Sequence, residues 1–239
     1  MKKIGIIGAM DVEVNLLLEK IQKDGGYKKT EAGSLAFYEG NLCGCSVVIV
    51  KSGIGKVNAA LCAQRLIIQF GVDCIINSGI AGCMAKGLGV FDFAVSTEAV
   101  YHDVDVTTWG YKCGQIPQMK TSVFEADKKL IDFAKSAFEK SELAAKHKIM
   151  LGRIASGDQF ICDPALKALI KERMNPICVE MEGAAIAHAC WLNGIPFVIL
   201  RCISDMADDS QECTYEFNEK AAAEESSCML MEMLKEMSA

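Results

Sequence analysis

A chain of 239 residues, 51% of them hydrophobic, can bury one sizeable core without disulfides or metals to hold it. Its formal net charge of −6 provides no basic surface, which argues against nucleic acid or an anionic membrane as the main partner and leaves a small molecule as the expected ligand. The 12 cysteines are scattered without a C-x-x-C pair, and Asp11 and Glu13 interrupt the apolar start, so the expectation is a cytoplasmic protein with reduced core thiols, no disulfide framework and no membrane span.

In chain order, "KKIGIIGAM" reads as a buried strand that feeds the helix "DVEVNLLLEKIQK", whose leucines and isoleucine recur at helical spacing. "SLAFYEGNLCGCSVVIVKSG" reads as two strands turning at Gly40 to Gly44, and "GKVNAALCAQRLIIQFG" as an apolar-faced helix stopped by Gly71. "VDCIINSGIAGC" is a second buried strand, expected to run into a glycine-rich turn. "VFDFAVSTEAVYHDVDV" is strand, and the polar "TTWGYKCGQIPQMK" is loop. Helical periodicity follows in "EADKKLIDFAKSAFEKSE", strand character in "KIMLGRIASGDQF", and a helix opening near Pro164 in "PALKALIKERM". The pattern closes with the strand "PICVEMEG", the helix "AAIAHACWLNG", the strand "PFVILRCISD" and an amphipathic tail helix. Such alternation predicts an α/β fold, a three-layer α/β/α sandwich around a mostly parallel or mixed sheet. No composition shift or linker divides it, so residues 1–239 are expected to form a single domain.

Ligands of such sheets gather at strand ends, and four strand ends here carry polar residues after long apolar runs: Asp11 with Glu13, Asn77 with Ser78, Glu180 with Glu182, and Ser204 with Asp205. Charges are costly to bury, so their recurrence suggests one polar pocket. Each acid alone could equally be ordinary helix-start chemistry, favoured by the helix dipole by about 0.3–1 kcal/mol; for Glu13, Glu182 and Asp205 together that reading is weak. "SGIGK" (52–56) mimics a P-loop but lacks the leading glycine and the following Ser or Thr. No G-x-G-x-x-G follows the first strand, no G-x-S-x-G is present, and His102, His147 and His188 stand far apart without H-E-x-x-H. Neither a metal nor a cofactor is expected.

Taken together, "IGIIGAM" with Glu13, "KSGIGKVNAAL", "NSGIAG", "YHDVDVTTWGYKCGQIPQM", "SGDQFI", "VEMEGAAIAH" and "PFVILRCISDMAD" resemble, nearly end to end, the nucleoside phosphorylase and nucleosidase superfamily, and within it the methylthioadenosine/S-adenosylhomocysteine nucleosidases. The resemblance implies cleavage of an N-glycosidic bond through a ribosyl cation, a hydrolytic reaction without phosphate. It assigns Asp205 to protonate the departing adenine at N7, and the apolar residues before Asp205 predict its burial. Glu182 would accept the ribose 2'- and 3'-hydroxyls, with Glu180 in support and Met181 against the sugar. Along an extended strand end 180 and 182 would share one side; a turn into the following helix would part them. Glu13 would orient and deprotonate water, with Arg201 nearby. Phe160 would stack on adenine and the main chain at Ile161 would read it, beside Ser204 in the "ISD" string. The 5'-alkylthio group would lie against Met10, Ile54 and Tyr215 of one chain and Val106, Trp109 and Tyr111 of a second, so that the 106–111 loop of a homodimer completes the partner site.

Departures touch substrate preference more than reaction. Ile80 stands where the family often has serine, Gly183 where it often has alanine, and Trp109 where it often has phenylalanine. A sister enzyme acting on futalosine-type nucleosides also carries "EMEG" and remains an alternative. Less favoured are a purine nucleoside phosphorylase, for which the turns after the first strand and after "NSG" offer no arginine, and a nucleoside-binding domain without catalysis.

Overall fold

The computed structural model describes residues 3–207 and 212–239, with side chains in the second stretch from residue 218 onward. Its centre is a ten-stranded mixed sheet. In chain order the strands are β1 (Lys3–Gly8), β2 (Tyr27–Ala32), β3 (Leu35–Leu42), β4 (Cys45–Lys51), β5 (Cys74–Cys83), β6 (Phe93–Tyr101), β7 (Phe124–Glu125), β8 (Ile149–Ser156), β9 (Cys178–Glu180) and β10 (Phe197–Asp205). The helices are α1 (Asp11–Lys23), α2 (Lys56–Phe70), α3 (Lys128–Lys140), α4 (Pro164–Met174), α5 (Gly183–Asn193) and α6 (Glu212–Ser238).

Both faces of the sheet are covered, as the alternation of elements predicts. Leu66 and Cys62 of α2 and Ile186 and Cys190 of α5 share one apolar core with Ile7, Ile75 and Ile199. On the opposite face Leu17 and Ile21 of α1, Leu130 and Phe138 of α3, and Leu230 and Leu234 of α6 pack on Ile6, Ile49, Ile76 and Val198. Because β1 and β5 run through the middle, alternate isoleucines feed the two cores, and a continuous apolar strand is the sequence signature of burial on both faces. Helix ends follow local chemistry: Asp127 and Asp163 accept first-turn N–H groups of α3 and α4, and Gly71 closes α2 with a left-handed backbone.

Pairing across the sheet adds what no local pattern contains. β5 pairs in parallel with β1 and β10 and antiparallel with β9; β10 pairs with β6, β6 with β8, and β8 with β9. Five strands thus return upon themselves, while β1, β4, β3 and β2 extend the sheet outward from β5. The closure brings the ends of β9 and β10 beside the second half of β5.

Two local expectations differ, and one strand carries no signal in the sequence. The hairpin turn between β3 and β4 is Cys43–Gly44, with Gly40 inside β3. Strand β2, "YKKTEA", carries no apolar run because it is an exposed edge strand, kept polar against edge-to-edge association. The string "NSGIAGC" makes no turn: β5 continues through it, wholly buried, to Cys83.

Candidate active site

Gly79 and Gly82 serve β5 by leaving room. A Cβ at Gly79 would lie 2.3 Å from Oε1 of Glu13, and one at Gly82 would lie 3.0 Å from Oδ1 of Asp205. Two acids from distant segments therefore close on a strand whose side chains have been removed at the points of contact. The result is a cleft of about 450 Å³ lined by Glu13 and Met10 from the β1–α1 junction, Ile80 and Gly82 from β5, Glu180, Met181 and Glu182 from the β9–α5 junction, and Ser204 and Asp205 from the end of β10. Ile54 and Phe160, each about half exposed at 52% and 51%, stand at its mouth. Every charged side chain among the described residues lining it is an acid.

Glu13 occupies the first turn of α1, and part of the helix-start reading holds. Its Oε2 accepts the N–H groups of Ala9 at 2.6 Å and Met10 at 3.0 Å, satisfying donors that the helix leaves open. The other oxygen performs no capping; it reaches across to the Ile80 N–H at 3.0 Å. Burial raises the Glu13 pKa, opposed by the nearby Arg201 charge and by these three amides.

The two glutamates of "VEMEG" do not share a face. β9 ends at Glu180, the backbone turns, and Glu182 becomes the residue before α5. Glu180 folds inward: Ser156 donates to its Oε1, its Oε2 accepts the N–H groups of Glu182 at 3.0 Å and Gly183 at 2.7 Å, and Arg201 binds the same oxygen. Glu182 reaches the other way, accepting the Gly55 N–H at 2.8 Å. Its pKa is pushed up to about 8, by burial first and then by the charge of Glu180, with Arg201 and the Gly55 N–H opposing.

Arg201 lies behind the cleft rather than in its lining. Only 2% exposed, it donates to the side chain and carbonyl of Asn77 and to Glu180, so its hydrogen bonds orient Glu180 and reach Glu13 only through charge. Burial alone would lower its pKa, but Glu180, Glu13 and Glu182 outweigh that and raise it. At the end of β10, a bulge against Gly82 turns Asp205 toward the cleft, where it is 4% exposed. Ser204 Oγ donates to its Oδ2 at 2.8 Å and the Ala207 N–H to its Oδ1 at 2.8 Å. Ile161, buried, joins Phe160, Met181, Glu180 and Asp205 around an adjoining recess of about 260 Å³.

Val106, Trp109 and Tyr111 do not line the cleft of their own chain. Trp109 is 75% exposed on the short turn Thr107–Trp109, and Tyr111 accepts the Gln118 N–H. The side chain of Tyr215 lies outside the described residues. Sequence reasoning left Ser156 and Gly55 without a role. Both sit in strings it singled out, "SGDQF" and "SGIGK", but neither residue type announces a carboxylate partner.

The chain matches the model of the phosphorylase superfamily over residues 3–236. A 5'-methylthioadenosine/S-adenosylhomocysteine nucleosidase of Halalkalibacterium halodurans is 44% identical over 232 residues, spanning 96% of this chain and 97% of that protein. The Neisseria meningitidis nucleosidase of the same designation, solved with methylthio-immucillin-A, superposes with a TM-score of 0.92 at 40% identity, covering 98% of this chain and 99% of the other. A futalosine hydrolase of Helicobacter pylori superposes with a TM-score of 0.90 at 32% identity, covering 98% of both. The chain therefore belongs to the phosphorylase superfamily and, within it, to the methylthioadenosine/S-adenosylhomocysteine nucleosidase family.

Proposed function

We propose that this protein hydrolyses the N-glycosidic bond of 5'-methylthioadenosine and S-adenosylhomocysteine, releasing adenine and the 5-thio-substituted ribose. The observation that carries the reading is the gathering of Glu13, Glu182 and Asp205 around one cleft in which no described cation faces the ligand. As the bond between ribose and adenine lengthens, positive charge grows on the sugar and electrons pass to the base. Asp205 gives a proton to N7 of the leaving adenine; Glu182 accepts the ribose hydroxyls and, in its ionised form, offsets the growing charge. Water then bonds to the anomeric carbon and yields its proton to Glu13. The raised pKa of Glu13 suits this task, since a stronger base takes the proton more readily. Glu180, held by Arg201 and Ser156, supports the chain turn that carries Met181 and Glu182. Phe160 stacks on adenine, the Ile161 main chain reads it, and Met10 and Ile54 flank the thioether, with Ile80 and Ser204 completing the wall.

Hydrolysis rather than phosphorolysis follows from the charge of the cleft, because an inorganic anion would meet four acids. The test is incubation of the purified chain with methylthioadenosine, S-adenosylhomocysteine, inosine and futalosine in phosphate-free buffer while free base is measured. Adenine release from the first two supports the reading; hypoxanthine from futalosine alone moves the chain to the sister activity, and release that needs phosphate makes it a phosphorylase. Gly79→Ala adds a sharper check. The new methyl needs the space of Glu13 Oε1, so adenine release is expected to fall at least about tenfold, with a loss of stability of about 1–3 kcal/mol from the overpacked strand; an unimpaired rate would detach Glu13 from the water.

We also read the active form as a cytoplasmic homodimer of one domain per chain. Val57, Leu61 and Ile68 form an exposed stripe along α2, joined by Trp191 and Leu192 of α5, and such a face is costly in a monomer. The 106–111 loop, with Trp109 open to solvent, would complete the neighbour's site. Sedimentation at twice the chain mass is expected, and a monomer mass would remove the borrowed loop from the account. The cytoplasmic location leans on the cysteines, none of which is joined by a disulfide among those described.

A further inference from the structure

The Gly55 N–H that holds Glu182 is itself held. Gly55 precedes α2 with a φ of 96°, a conformation that favours glycine, and the next amide, Lys56 N–H, donates to Asp158 Oδ1 at 2.8 Å. Asp158 is two residues from Phe160, and its own N–H donates to Asp103 Oδ2 at 2.9 Å. The same Asp103 oxygen accepts Lys56 Nζ at 2.5 Å, and that ammonium also lies 3.7 Å from Asp158 Oδ2 and 5.4 Å from the Tyr101 ring centre. Asp103 and Lys56 are largely shielded, with side chains 16% and 22% exposed, so water does little to loosen the pair. One carboxylate oxygen thus ties three segments: the "SGIGK" turn, the turn before Phe160, and the chain leading to the 106–111 loop.

We propose that Asp103 is a positioning residue for the nucleoside site, holding Lys56 and Asp158 together so that the Gly55 N–H stays on Glu182. It touches no substrate and acts through Glu182; the proposal rests on the nucleosidase reading above. Without Asp103, the turn 53–56 keeps its glycines but loses the anchor that sets its distance from α5, and Glu182 loses its one described amide partner across the cleft. The "SGIGK" string, which is no phosphate loop, then has a purpose: its glycines shape the turn, and its lysine ties that turn to the far side of the cleft. Asp158 is the weaker member, half exposed, and Asp103 with its shared oxygen is the junction.

The test is a double-mutant cycle in the full-length protein, with adenine release from methylthioadenosine measured in phosphate-free buffer and high enzyme concentration for slow variants. Asp103→Ala is expected to lower kcat/KM about tenfold, the loss expected when a charge-assisted hydrogen bond in a shielded site is broken. In a Glu182→Ala background, where no side-chain oxygen remains to accept the Gly55 N–H, the same change is expected to cost less than about twofold. Lys56→Met should repeat the pattern if Asp103→Ala folds poorly, and Asp103→Asn, which can still accept the Asp158 N–H, should recover part of the activity. Equal losses in both backgrounds, or a lowered melting temperature with unchanged kcat/KM, would leave Asp103 a purely structural residue and overturn the proposal. A wild-type protein that releases no adenine from methylthioadenosine would overturn the nucleosidase reading first and this proposal with it.

Discussion

Asp205→Asn is expected to bind methylthioadenosine with KM within a few-fold of wild type and to lose about 10²–10⁴ in kcat, the usual contribution of a positioned acid. The amide has the shape of the carboxyl and can still accept from Ser204 Oγ and the Ala207 N–H, so the end of β10 keeps its bulge and its place beside Gly82. What the proposed mechanism loses is the proton for adenine N7. Without it the base must leave as an anion, and the charge that develops on the purine in the transition state goes unmatched. In the proposed mechanism substrate binding draws on Phe160, Met10 and Glu182, side chains that the substitution leaves in place. Steady-state kinetics with a fixed substrate series decides the matter: an unchanged kcat would take Asp205 out of the mechanism, and a large rise in KM with normal kcat would make it a binding residue only.

Glu182→Gln should give the largest change in how stability depends on pH. In the unfolded chain this carboxyl ionises near its ordinary value of 4.5, whereas in the folded protein burial and the Glu180 charge delay ionisation to about 8. Between those values the folded state holds a proton that the unfolded state has released, so stability falls as pH rises through the window, and the whole penalty is present above it. Glutamine cannot ionise and carries no such penalty. The variant is therefore expected to match wild type near about pH 4.5 and to exceed it by on the order of a few kcal/mol above about pH 9. Urea midpoints at both ends of the range provide the measurement; parallel curves would mean that Glu182 ionises as if in water. Glu13, also raised by burial, adds a slope of the same sign, but it is present in both proteins and largely cancels in the difference. Activity should move in the opposite direction, since the glutamine cannot offset positive charge on the ribose. A gain in stability with a loss of turnover at one position is the mark of a group kept for chemistry at the expense of folding.

Most of the fold was legible because its rules are short-ranged. Isoleucine-rich runs of β1, β5 and β10 declare burial on both faces, the spacing of Leu17 and Ile21 declares a helix, and Gly71 declares where one stops. The strip "YKKTEA" was not legible, since an exposed edge strand has no apolar alternation to reveal it. The candidate site was legible in large part as a set: acids after apolar runs at strand ends are costly to bury, and Glu13, Glu180, Glu182 and Asp205 do line one cleft, whereas Asp11 pairs with Lys51 at the surface and Asn77 and Ser78 lie inside β5 rather than at its end. Their division of labour was not. Composition cannot distinguish a glutamate that accepts Arg201 and Ser156 from one that faces the cleft, because the difference lies in a turn of two residues between β9 and α5.

By itself the sequence determined most of the elements, their two-faced burial, the acidic character of the strand ends and, through its long shared strings, the family. Only the tertiary structure decided how the strands return upon themselves, and with that which acids meet. Gly79 and Gly82 show the reason: in the chain they read as a flexible turn, yet in the fold each is empty space filled by a carboxylate from a segment more than sixty residues away. Pattern along the chain reports what each residue needs from solvent and backbone, while partners so far apart are chosen by strand pairing, which no local period encodes.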